Sequence, residues 1–185
     1  MRAAVAAIVL ASLAAGCASE PPGPRTVEDR ERGYRFVLPA GWRMIGYDAR
    51  SDGKSLLTID VHSLVGADPS FVAGLPRTIL PQLEGWTLYY FVSDEPPVTR
   101  ETEIGGRPAF EAVYRIRVRP ADPPSLAEYW VVRNDNLLYI LRATYPPGLA
   151  EADGEAVREI LASWRFLEAT SPAARPLQPP PSRDR

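Results

Sequence analysis

Residues 98–119 read as two alternating arms around one tight turn, and no other stretch narrows the fold of this chain as much. In the second arm, residues 109–119, Phe110, Ala112, Tyr114, Ile116 and Val118 lie on one side, opposed by Glu111, Arg115, Arg117 and Arg119. Successive strand side chains point to opposite faces, so this arm has a core face and a charged face. Gly105-Gly106-Arg107-Pro108 supplies the turn. A hairpin of this kind needs a sheet to belong to, and further strand signals supply one. Residues 34–38 alternate and stop at Pro39-Ala40-Gly41. Leu57, Ile59 and Val61 face one way while Thr58, Asp60 and His62 face the other. Residues 126–133 and 137–145 flank the turn residues Asn134-Asp135-Asn136. Residues 86–92 are apolar on both sides, which predicts a central strand covered on both faces.

Helix signals are fewer. Asp68-Pro69 is a capping residue before a first-turn proline, and Phe71, Leu75, Ile79 and Leu83 recur at helical spacing. Pro76 and Pro81 interrupt that run, which predicts a kinked helix or two short ones. Residues 149–163 predict a second helix, with Ala152, Ala156, Ile160 and Trp164 as its buried stripe, widened by Val157 and Leu161. Antiparallel strands with one helix inserted and one at the end make an α+β domain, an antiparallel β-sheet flanked by helices.

Both flanks lack core-forming residues. Residues 17–32 predict a flexible tether, and residues 169–185, with Pro172, Pro176 and Pro179-Pro180-Pro181, a disordered or extended tail. The globular unit is expected at residues 33–168, and 45% hydrophobic residues suffice for a packed core. Cys17 is the only cysteine, so no disulfide can staple the domain. A net charge of −2 argues against a general nucleic-acid binder.

The start of the chain gives an address. Met1-Arg2 is positive, residues 3–15 are apolar apart from Ser12, and Ala15-Gly16 lead into Cys17. That order makes a secretory signal, too short to span a bilayer at about 20 residues per crossing. Leu13-Ala14-Ala15-Gly16-Cys17 resembles the bacterial lipoprotein box, with Ala14 where that box most often carries Leu. The resemblance implies cleavage after Gly16, a signal peptide of residues 1–16 and diacylglyceryl modification of Cys17. Ala18, rather than Asp, follows the cysteine, which by resemblance to Gram-negative sorting favours the outer membrane facing the periplasm.

Three further motifs resemble one family in order. Phe36-Val37-Leu38-Pro39-Ala40-Gly41-Trp42 is similar to the opening strand and P-x-G-W turn of PsbP-like domains. Ile104-Gly105-Gly106-Arg107-Pro108-Ala109 resembles their turn into the middle strands, and Ile160-Leu161-Ala162-Ser163-Trp164-Arg165-Phe166 their closing helix and last strand. The resemblance implies a PsbP-like α/β/α sandwich. It also implies a binding or accessory role, since the family shares no catalytic constellation.

The residues themselves offer little chemistry. Gly53-Lys54-Ser55 looks like the end of a phosphate loop, but Asp48 stands where the earlier glycine is required and a strand follows. His62, the only histidine, shares a strand face with Asp60 and Thr58, without a second histidine or free cysteine to complete a metal site. Arg115, Arg117 and Arg119, with Arg100 nearby, form a row suited to an acidic partner, or a solvated face paired with Glu101, Glu103, Glu111 or Glu128. Tyr89 and Phe91 lie under a helix or form an exposed aromatic patch. The expectation is a non-catalytic, lipid-anchored envelope module with a protein partner and no cofactor. The alternatives are a small-ligand carrier or a hydrolase built on carboxylates such as Glu101, Glu103 and Glu111.

Overall fold

The computed structural model describes residues 23–93, 95–169 and 175–176, with the side chains of residues 86, 88–90 and 175–176 outside the description. Cys17 and the signal segment lie outside the described residues, as does most of the tail. In chain order the elements are β1 (Arg25–Asp29), β2 (Tyr34–Leu38), β3 (Trp42–Ile45), β4 (Asp48–Ser51) and β5 (Leu56–Ser63). Then come α1 (Pro69–Gly74), a 3₁₀ turn (Arg77–Ile79), α2 (Leu80–Tyr90), β6 (Val98–Ile104), β7 (Arg107–Ile116), β8 (Ser125–Asn134) and β9 (Leu137–Tyr145). The chain closes with α3 (Ala150–Ser163), β10 (Arg165–Phe166) and β11 (Arg175–Pro176).

The large sheet runs β3-β4-β5-β9-β8-β7-β6, antiparallel throughout, with β11 pairing β5 in parallel. Its hairpins follow from turn chemistry. Gly105 (φ 58°) and Gly106 (φ 77°) both sit in the left-handed region, as a two-residue mirror-image turn demands. A Cβ on Gly105 would also come within 2.9 Å of the Phe166 ring. Asp135 (φ 53°) begins the equally short turn between β8 and β9.

One face of the sheet is closed by the segment from α1 to α2. The Asp68 carboxylate accepts the N–H of Ser70 at 2.7 Å and of Phe71 at 3.3 Å, capping α1. The helical run divides at Leu75-Pro76 into α1 and α2, joined by the 3₁₀ turn, while Pro81 sits in the first turn of α2, where a proline is tolerated. Ile79 and Leu83 bury against Phe110, Ala112, Tyr129, Val131 and Ile140. Residues 86–92 correct the sequence expectation: residues 86–90 continue α2 instead of forming a central strand. The four-residue spacing of Ile79, Leu83 and Thr87, all buried, outweighs local alternation, and the Thr87 hydroxyl donates to the Leu83 carbonyl at 2.7 Å. Phe91 packs partly buried against this layer.

The other face is covered by α3 and a small sheet, β1-β2-β10. Trp164 stacks on Tyr34 (ring centroids 4.8 Å) and Phe36 (5.4 Å), all three buried. The buried side of α3 is Gly154, Val157 and Ile160, while Ala152 is exposed, so the expected stripe is rotated. Gly154 lies on the side of α3 that faces Tyr145 of β9, where an added Cβ would make an ordinary contact at 3.9 Å. Two further readings are corrected. Arg25–Asp29, within the expected tether, forms β1 along the full length of β2, with Val27 against the core. Val118, expected in the core, is 68% exposed because β7 ends at Ile116.

Candidate functional site

The register brings charged residues together on the α3 face, beyond the helix. Arg100 stands opposite Glu111 and Val98 opposite Val113 across β6–β7. Glu111 stands opposite Trp130, Val113 opposite Glu128 and Arg115 opposite Leu126 across β7–β8. Directly opposed residues share a face, so these side chains form one patch. Its inner part is a polar network. Arg100 grips Glu111 through two N–H groups, the second (Nη2 to Oε1) at 3.0 Å, and Glu111 is buried although Arg100 is exposed. The pairing of Arg100 with Glu111 agrees with the expected charged face, but Glu111 is buried rather than solvated, its charge compensated by the arginine across the strand pair. The Tyr145 hydroxyl donates to Glu128 Oε2 at 2.9 Å. Burial raises the Glu128 pKa above the ordinary carboxylate range, and the Glu111 charge adds to the rise. The Tyr145 hydrogen bond, Arg158 and Arg100 oppose it. Burial likewise raises the Tyr145 phenol, with the Glu128 charge contributing.

The outer part is a groove of about 320 Å³ lined by Arg115, Pro124, Ser125, Leu126, Pro146, Pro147, Gly148 and Ala150. Arg115 is exposed, Leu126 and Val113 are half-buried, and Val98 is 72% exposed. The arginine row therefore divides. Arg115 lines the groove, Arg117 lies past the strand end and donates to the Pro120 carbonyl at 3.1 Å, and Arg119 is exposed in the following loop.

The proposed carboxylate set does not converge. By alternation Glu101 and Glu103 point to the sheet face opposite Glu111, and Glu101 pairs with Arg77 at 2.7 Å. Glu128 and Tyr145 complete the network instead. A charged residue inside the apolar run Leu126-Ala127-Glu128-Tyr129-Trp130 was the available signal.

Thr58, Asp60 and His62 do share a cleft, of about 170 Å³, with Arg32, Tyr47 and Asp48. Arg32 lies over the Tyr47 ring at 3.2 Å. Among the described residues no group of three His, Cys, Asp or Glu could hold a metal ion. Gly53-Lys54-Ser55 is a structural turn between β4 and β5: the Ser55 N–H donates to Ser51 Oγ at 3.1 Å, and Ser51 donates to Asp153 of α3 at 2.9 Å. A wider groove of about 670 Å³, lined by Glu28, Arg30, Arg35 and residues 167–169, gathers none of the residues singled out in the sequence.

Comparison with solved structures now bears on the fold. The chain is similar to the cyanobacterial PsbP (CyanoP) of Synechocystis sp. PCC 6803, with a TM-score of 0.55 at 12% identity. The match covers 78% of this chain and 92% of that one. The fold is PsbP-like. At that identity the likeness is one of architecture alone. A weaker likeness, TM-score 0.43 at 15% identity over 87% of this chain and 100% of the other, is to PA94 of Pseudomonas aeruginosa, described as a putative regulator. No family model matches the sequence, and no curated protein matches it.

Proposed function

We propose that the protein is a lipid-anchored, non-catalytic binding module of a bacterial envelope, and that it docks an acidic protein surface on the open corner of its α3 face. One observation carries this reading: Arg115 projects beside half-buried Leu126 and Val113 and exposed Val98, where the covering helix stops. An arginine set among apolar side chains is the composition of an interface centre rather than of a plain solvated face. The PsbP-like fold supports the reading, as a scaffold whose sheet is covered on both sides yet leaves this corner open. The carboxylate pair favours a hydrolase less, because Glu111 is buried and held by Arg100, out of reach of a dissolved substrate.

The anchor is the lipid on Cys17, since two acyl chains hold a protein stably where one does not. Cys17→Ser releases the protein from membranes or leaves its precursor uncut; an unmodified Cys17 in the mature wild-type protein, found by mass spectrometry, overturns the anchor. For the docking face, a photo-crosslinking residue at Leu126 in the membrane-bound protein traps one discrete partner, and adding Arg115→Glu lowers that yield several-fold. The same probe at exposed Arg43, on edge strand β3, serves as control. Equal trapping from both positions removes the α3 corner from the account.

A further inference from the structure

Cations gather at the end of the molecule from which the chain runs back toward Cys17. Arg25, at the start of β1, stands opposite Leu38, the last residue of β2. The chain then turns through Pro39-Ala40-Gly41 into β3, with the Trp42 N–H donating to the Pro39 carbonyl at 3.2 Å. Arg43 and Arg50 stand directly opposite each other across β3–β4, and both are exposed. Trp42 packs into the core under α3, so by alternation the two arginines point to the other face, where the α1–α2 layer packs on β7, β8 and β9. Lys54 follows in the exposed turn from β4 to β5, its N–H donating to the Ser51 carbonyl at 3.1 Å. Among the described residues none of Arg25, Arg43, Arg50 and Lys54 is held in an ion pair. Asp52 shares the turn with Lys54, and Asp153 of α3, beside Gly53, already accepts the Ser51 hydroxyl at 2.9 Å. Like charges directly opposite destabilise a strand pair, so Arg43 and Arg50 carry a cost that a bound anion relieves.

Chain length indicates which anionic surface is within reach. Arg25 is eight residues after Cys17, a span of at most about 29 Å when fully extended. With lipid on Cys17, this end of the domain stays within that span of the bilayer. We propose that Arg25, Arg43, Arg50 and Lys54 form a contact surface for an anionic phospholipid bilayer, and that this contact sets how the domain stands on its membrane. The choice of a bilayer rests on the lipid-anchor reading above. Each basic residue close to an anionic membrane strengthens binding by about fivefold, and the effect fades within a Debye length. The chain as a whole has a net charge of −2, so the attraction has to be local to this end. The groove beside Arg115 lies at the same end of the large sheet: Leu126 stands opposite Tyr145, and Thr144 opposite Leu56, the first residue of β5. A protein docked there would meet the domain close to the lipid surface.

Co-sedimentation with vesicles separates this surface from the anchor when the chain of residues 17–185 carries Cys17→Ser and so takes no lipid. That protein binds vesicles of phosphatidylethanolamine and phosphatidylglycerol at least tenfold more strongly than vesicles of phosphatidylcholine, and added salt removes the difference. Arg43→Gln with Arg50→Gln weakens the binding at least tenfold, as two steps of about fivefold require. Arg107→Gln with Arg133→Gln removes the same charge from exposed positions at the far end of the sheet and weakens it less than twofold. In the lipidated protein, a dye on Ala40→Cys transfers energy to acceptor-labelled lipid more efficiently than one on Asn136→Cys, and the two become equal in the Arg43→Gln, Arg50→Gln background. Equal binding to both kinds of vesicle overturns the proposal. So does equal weakening by the two double variants, because net charge alone then governs the attraction. An unmodified Cys17 in the mature protein overturns the anchor instead and leaves the vesicle result standing, so the two failures are distinct.

Discussion

On the α1–α2 side of the large sheet, Leu64, Ile79, Leu83, Phe110, Ala112, Tyr129, Val131 and Ile140 form an apolar layer sealed by helices. On the α3 side the chemistry changes within three strands. There the Trp164 stack over β9 gives way to the Glu128–Tyr145 bond and then to Arg100 on Glu111 at the sheet margin. The difference follows from how much of each face its helices reach. A helix cluster broken at Leu75-Pro76 can bend to follow the twisted sheet, while α3 is one rod of 14 residues resting on β2 and β9. Where the rod ends, a strand residue is either apolar and half-exposed, like Val113, or charged and paired, like Glu111. The sealed face holds the fold together, and the half-sealed face leaves Arg115 and Val98 exposed beside half-buried Leu126 and Val113.

The sharpest way to break this comparison is to damage the aromatic stack. Trp164→Ala removes the ring that Tyr34 and Phe36 stack on, and is expected to cost about 3–5 kcal/mol in denaturant unfolding, as aromatic truncations in cores do. A loss under about 1 kcal/mol would mean that α3 is not the structural half of its own face. Leu83→Ala tests the sealed face and should cost about 2–5 kcal/mol, while crosslinking from Leu126 in the protein that remains folded stays unchanged. A selective loss of crosslinking would show that the two faces are coupled.

Glu128 separates the faces by pH. Its folded-state pKa is raised, so between the ordinary carboxylate value of about 4.3 and the raised one the native state binds more protons than the unfolded state. Stability drawn from this group is therefore complete below the ordinary value and is lost as pH rises through the raised one. Glu128→Gln removes that loss, so the wild-type protein should fall relative to the variant as pH climbs through this window. Equilibrium unfolding at several pH values measures it. Parallel curves for the two proteins would mean that Glu128 titrates normally and that the inner network is an ordinary surface feature.

How much of this was legible in the sequence depended on the range of the interactions. β2 and β9 could be read to the residue, because alternation and the adjoining turns are local signals. The hairpin turn at Gly105-Gly106 was legible because only glycine tolerates both of its left-handed positions cheaply. Residues 86–92 misled because an apolar run fits both periods, and what decided it was burial of Thr87 beneath Tyr129, whose hydroxyls lie 2.9 Å apart. β1 was hidden in a polar stretch, since an edge strand needs only a partner backbone and one inward residue, here Val27. At the candidate site the three-arginine row was legible as a pattern but not as a surface, because nothing local announces that β7 stops at Ile116. The pairing of Glu111 with an arginine could be anticipated, but its burial could not, because that depends on the neighbouring strands that pack around it.

The smallest expected effect on stability is the most useful for function. Arg115 is exposed at the lip of the groove, so reversing it to Glu should alter unfolding free energy by less than about 1 kcal/mol, the usual ceiling for exposed charges. Its effect on association should be larger, because a charge at an interface steers encounter and sets partner choice even where it contributes little to the fold. Added salt screens such a contact, with a Debye length near 8 Å at physiological ionic strength. Wild-type trapping from Leu126 should therefore decline as salt rises, while the weaker trapping by Arg115→Glu stays nearly flat. Arg119→Glu is the matched control: it reverses an equally exposed charge, but in a loop outside the groove. If the two reversals weaken trapping equally, net charge alone attracts the partner and the corner is not a site. A deficit confined to Arg115→Glu, erased at high salt, ties recognition to the place where α3 leaves the sheet uncovered.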